Sequence, residues 1–224
     1  MNRSRLALII IFLVLIIDQS VKFWIKTTFP LGGGFDILGL SWAKVHFVEN
    51  EGMAFGMELG GSYGKLLLTI FRMIAVCFIG YYLFTLIKNK GNWGLIVSIS
   101  LVFAGAMGNI LDSIFYGVLF SNSTYASVAQ FMPDSGGYTT LLHGHVVDMF
   151  YFPVAQGHYA DWVPILGGKF YMFFRPVFNI ADSAITIGVL TILLFQRNIF
   201  AHQEFPETPS PETPITETSE NPEA

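Results

Sequence analysis

The sequence predicts an all-α integral membrane protein: four transmembrane helices, small outward-facing elements between them and a disordered tail. Three observations carry this prediction. Of the 224 residues, 53% are hydrophobic and only 12% charged, and mean hydropathy is +0.55. A soluble domain carries about 25% charged residues, so an ordinary soluble enzyme is excluded. Four stretches are long enough to cross about 30 Å of hydrocarbon. Finally, the chain's formal charge of −4 is concentrated at one end. Residues 202–224 hold six Glu and no Lys, Arg or Asp; removing these six from 16 acids leaves ten against 12 Lys and Arg. No basic surplus remains to suggest a nucleic-acid partner. The lone cysteine, Cys77, excludes internal disulfides and a cysteine-rich metal site.

The spans run over residues 6–27, 66–87, 93–116 and 177–195. Arg3 and Arg5 precede the first apolar run, as in a secretory signal, but no small-x-small cleavage site follows, so the span is retained. Lys88 and Lys90 lie between spans two and three, and Arg197 follows span four. The positive-inside rule therefore puts both termini in the cytoplasm. Residues 28–64 and 117–176 then face outward as folded elements, the first a small β-rich segment after helix one. Residues 202–224, rich in Pro, Glu, Thr and Ser, read as disordered. The four-helix membrane domain thus covers residues 1–201.

Charges inside spans cost about 2.5–3.5 kcal/mol each at a helix centre, so each needs a partner or a function. Asp18 and Lys22 lie on span one, Arg72 on span two, Asp112 on span three and Asp182 on span four. With the orientation above, the carboxylates and Asp148 gather near the outer surface. Asp18 and Lys22, spaced i, i+4, share a helix face. That leaves two roles open, an internal ion pair or direct substrate contact. Gly105, Gly108 and Asn109 suit close helix packing and an interhelical hydrogen bond. Asp148, in Val146-Val147-Asp148-Met149-Phe150, and Asp182, at the start of an apolar helix, have no basic residue nearby. Two such carboxylates brought together cannot both ionise, and the pair can hold one proton while activating water.

Five segments then resemble, in order, the signatures of the lipoprotein signal peptidase (signal peptidase II) family. They are Asp18-Gln19-Ser20-Val21-Lys22, residues 50–56 from Asn50-Glu51-Gly52, residues 105–112 from Gly105 to Asp112, residues 144–150 from Gly144 to Phe150, and Phe178-Asn179-Ile180-Ala181-Asp182-Ser183. The resemblance implies an intramembrane aspartyl protease with no metal or organic cofactor. It implies Asp148 and Asp182 as the catalytic dyad. Asn50, Gly52, Asn109, Asp112 and Asn179 line or support the substrate site, and Asp18 and Lys22 brace it. The substrates implied are prolipoproteins, cut before a diacylglyceryl-modified cysteine, and the place a bacterial cytoplasmic membrane, where a monomer works among lipids.

Two features depart from the family pattern. Ser113 stands where Arg usually follows Asp112, and residues 118–143 form an insert of unassigned shape. Arg72 either snorkels to the interface, the simpler reading, or supplies the missing cation near Asp112. A small proton-coupled carrier is the competing reading, but it favours acids spread through membrane depth. His143 and His145 near Asp148 invite a zinc site, though solvated loop histidines are commoner. Truncation after Ala201 is expected to leave prolipoprotein processing intact, measured as specific activity of normally inserted protein; a large loss would give the tail a role.

Overall fold

A computed structural model describes residues 2–51, 61–173 and 176–200. Helix α1 (Arg3–Thr28) opens at Asn2, whose side chain accepts the Arg5 N–H at 2.8 Å. Helix α2 (Gly61–Lys88) follows and packs on α3 (Trp93–Leu111), which starts at Asn92, where the side chain caps Gly94 N–H at 2.8 Å. From α3 the chain passes through a π turn (Asp112–Tyr116) into a single turn, α4 (Gly117–Leu119). The last helix is α5 (Ile180–Phe200). Three helices, Arg3–Thr28, Tyr63–Lys88 and Trp93–Leu119, are long and apolar enough to cross a membrane; the apolar stretch Ile180–Phe195 is shorter. Their outer faces carry exposed Phe12, Phe71 and Leu194, which suits lipid rather than water.

Helix α3 is the centre, packed most extensively on α5, then α1, then α2. Glycine makes this possible. A Cβ at Gly105 would lie 2.2 Å from the Ala181 carbonyl oxygen, and one at Gly108 would lie 2.7 Å from Asp18 Oδ2. The small residues predicted to bring helices together therefore do so, and Gly108 also makes room for a carboxylate. At the opposite end, Arg3 Nε donates to the Gly91 carbonyl at 3.0 Å and its guanidinium lies 4.6 Å from the Trp93 ring centre. The basic start of α1 and the basic α2–α3 turn thus share one end of the bundle.

The all-α expectation needs correction. Beyond the helices stands a sheet of four strands in the order β1 (Gly34–Asp36), β2 (Lys44–Asn50), β3 (Val146–Tyr151) and β6 (Val177–Phe178). Between β3 and β6 a hairpin forms from β4 (Ala155–His158) and β5 (Phe170–Phe173). The β-rich segment after the first helix is real, but its partner strands, β3 and β6, come from much later in the chain. Val177 and Phe178, assigned to the fourth span, pair with Tyr151 and Phe150, and the helix begins at Ile180. The insert is mostly irregular; Phe120 and Phe131 bridge it, and buried Phe120 and Ala129 join Ile25, Phe47, Val147 and Met149 in a core beneath the sheet. The tail lies outside the described residues.

Gly105→Ala is expected to lower stability by about 1–3 kcal/mol through forced separation of α3 and α5. Thermal melting in detergent reads this; an unchanged midpoint would mean that the interface relaxes freely.

Candidate active site

The site grows outward from one buried ammonium. Lys22, fully buried on α1, lies 3.0 Å from Asp18 Oδ2, 2.9 Å from Asp112 Oδ2 and 2.8 Å from Asn109 Oδ1. All of its donors are therefore engaged by α1 and α3. Asp18 reaches a third helix, since its Oδ1 accepts the Ala181 N–H of α5 at 2.9 Å. A carboxylate at a helix N-terminus meets unpaired amides and the positive end of the helix dipole. Gln19 closes the group, donating to Asp112 Oδ1 at 2.8 Å and accepting from the Tyr116 hydroxyl at 3.2 Å. The ion-pair role of Asp18 and Lys22 is the one the geometry favours.

The second layer carries the candidate pair. Asn109 donates its amide to Asp182 Oδ1 at 2.8 Å while its oxygen holds Lys22. Asn179 precedes α5 and accepts the Asp182 N–H at 2.9 Å, and Asp182 Oδ2 accepts the Asn179 N–H at 3.2 Å. This reciprocal capping box fixes Asp182 in the first turn. The Asn179 amide then donates to Asp148 Oδ1 at 2.7 Å, so one side chain joins both acids.

Asp148 is positioned by the sheet. Asn50 pairs with Val146, and its amide donates diagonally to Asp148 Oδ2 at 3.1 Å. On the free edge of β3, where β6 has ended, helices replace a strand. The Val147 N–H donates to Asp112 Oδ2 at 3.2 Å, and the Val147 carbonyl accepts from Asn179 at 3.3 Å. Burial, reinforced by the charge of Asp182, pushes the Asp148 pKa up to about 7. Such an acid can hold a proton at neutral pH and release it during a reaction.

Of the residues singled out by sequence, Asp18, Lys22, Asn50, Asn109, Asp112, Asp148, Asn179 and Asp182 meet in this one network, and Gly52 lies outside the described residues. Ser113 is buried, donating to the Asn109 carbonyl at 3.2 Å. Arg72 is half-buried on α2, and the carboxylates that bear on it are Asp182 and then Asp148. Of the two readings the sequence left open, snorkelling and a cation near Asp112, the second finds other acids: the charge of Arg72 bears on the candidate pair. The histidines have separate jobs: His143 Nδ1 contacts Thr140 Oγ1 at 3.1 Å, while His145 lies between Glu49 and Glu51. Sequence reasoning missed Lys26, Glu49 and Gln19. The four-residue spacing of Asp18, Lys22 and Lys26 was the available signal, since it puts all three on one helix face.

Asp18→Asn leaves Lys22 with one carboxylate and weakens the cap on α5. Breaking a buried pair this way is expected to cost roughly 3–5 kcal/mol, seen as reduced folded yield and a lower melting temperature.

Comparison with known proteins agrees with this geometry. The family model for Signal peptidase (SPase) II matches residues 10–197. The lipoprotein signal peptidase of Porphyromonas gingivalis is 46% identical over 193 residues, covering 86% of this chain and 83% of that protein. That of Amoebophilus asiaticus is 40% identical over 189 residues, covering 83% and 75%. A bacterial membrane enzyme solved by the in meso method at 1.9 Å shares the fold with a TM-score of 0.54 and 27% identity, over 85% of this chain and 91% of that one. Another, at 2.3 Å, has a TM-score of 0.56 with 24% identity, over 90% and 93%.

Proposed function

The chain belongs to the signal peptidase II family, aspartic-type peptidases that remove signal peptides from prolipoproteins, and from that premise we propose that Asp148 and Asp182 are its catalytic pair. The observation that carries the assignment is Asn179, whose side-chain amide donates to the Asp148 carboxylate and whose backbone N–H donates to that of Asp182, while Asp148 sits at a pKa of about 7. Asp148 is the member of the pair that holds a proton at neutral pH.

Ionised Asp182 takes a proton from a water, and the resulting hydroxide attacks the scissile carbonyl carbon. The tetrahedral intermediate collapses as Asp148 gives its proton to the departing amine nitrogen. Asn50, Asn109 and Asn179 hold the two carboxyls without adding charge, and Arg72 offers positive charge where the oxyanion develops. The substrate is cut before a diacylglyceryl-modified cysteine. Four spans carry the site at the outer face of a bacterial cytoplasmic membrane, with both termini inside; the shared end of Arg3, Gly91 and Trp93 supports that arrangement.

Asp148→Asn and Asp182→Asn should each lower cleavage of a diacylated prolipoprotein by roughly 10²–10⁴-fold, with insertion and folded yield retained. The losses should not multiply in the double variant. Near-normal turnover in either, with chelator-treated protein, would overturn the assignment. For the wild type, raising pH through about 7 removes the Asp148 proton needed by the leaving amine, so activity should fall on that side. A turnover-pH profile without an alkaline limb would contradict the acid role.

A further inference from the structure

The strand that presents Asn50 is gripped from behind. Side chains alternate across a strand, so Glu49 leaves β2 on the face opposite Asn50, and Glu51 follows just past the strand's end. His145, just before β3, lies between them: Nδ1 is 3.2 Å from Glu49 Oε2, and Nε2 is 2.8 Å from Glu51 Oε1. Glu49 is further held by Lys26 and by the Ser123 hydroxyl, which donates to Oε1 at 2.7 Å. Lys26 also donates to Ser123 Oγ at 3.0 Å. The His145 N–H donates to the Tyr138 hydroxyl at 2.6 Å. Lys65 fixes the backbone beyond, donating to the Glu51 carbonyl at 2.5 Å.

We propose that His145 is a positioning residue for the cleavage reaction: by gripping Glu49 and Glu51 it holds the residue between them, Asn50, at its hydrogen bond to Asp148. Carboxylates face both ring nitrogens, and only a ring with a proton on each nitrogen donates to both. The grip is itself well anchored. Burial opposes the charge on Glu49, but bonds from His145, Lys26 and Ser123 outweigh it and bring its pKa to about 2. Ser123 and Tyr138 belong to the insert at residues 118–143. The insert therefore works as an outer brace, pressing its polar groups on the back of the strand whose front carries Asn50. None of these groups touches the candidate acids, so their effect on chemistry passes through Asn50.

This inference rests on Asp148 being catalytic. The charged and titratable groups around His145 are Glu49, Glu51 and Tyr138, with Lys26 behind Glu49 and Lys65 at the Glu51 backbone; those acting on Asp148 include Asp182, Lys22 and Arg72. The Asn50 bond favours the ionised form of Asp148, so releasing Asn50 moves the alkaline limb of turnover to higher pH.

The test measures kcat, KM and the pH profile of His145→Gln, Asn50→Ala and their combination on a diacylated prolipoprotein in detergent. Glu51→Gln, at a half-exposed position, supplies the same readouts should His145→Gln fold poorly. Expected for His145→Gln are a roughly tenfold lower kcat with KM little changed, an alkaline limb displaced upward as in Asn50→Ala, and no further loss in the double variant. An unchanged kcat and unmoved limb, or losses that multiply, would overturn the proposal while an inactive Asp148→Asn leaves the catalytic pair standing. An active Asp148→Asn would instead remove the premise.

Discussion

One buried ammonium organises this protein. An isolated charge in a low-dielectric interior costs far more than a folded domain can offset, so Lys22 must be met by acids, and the acids must come to it. Asp18 lies one helical turn away on α1, Asp112 ends α3, and Asn109 supplies a third acceptor. Because Asp18 also caps Ala181, the same charge balance fixes where α5 begins. Three helices are thereby locked at one depth by groups that have no satisfactory alternative partner in lipid. The candidate acids inherit that rigidity through Asn109 and Asn179.

The sheet is attached by the same logic. A free strand edge leaves backbone groups without partners. β3 meets this at Val147 with side chains from two helix ends, Asp112 and Asn179, in place of another strand. The join is specific to one register, since a one-residue slip would turn Asp148 to the other face. Helices set the depth of the site, and the strand sets which carboxyl enters it. The outer core around Phe47, Phe120 and Met149 keeps the sheet from sliding across the helix ends.

The helices and most of the site were legible because their signals are local. Apolar length marks a span, and the i, i+4 spacing of Asp18 and Lys22 marks an ion pair. The sheet was not legible in this way. β2 pairs with a segment about a hundred residues later, and β6 has two residues, too few for any alternation. An apolar run such as Val177–Phe178 reads as helix until its partner Phe150 is known. The acids near Arg72 were misassigned for a similar reason: sequence gives its position along α2 but not which side of the bundle it faces. Glu49 and His145 are ordinary surface types, and only the insert folded over them makes them a buried network.

The order in which these groups leave the ribosome has its own consequence. Asp148 precedes the last helix, and Asp182 with its partner Asn179 belongs to the start of it. Until α5 is synthesised and inserted, a nascent chain holds Lys22 with its acids but has neither the second carboxyl nor the amide that joins the two. The candidate pair is thus one of the last features of the protein to be completed as the chain is made.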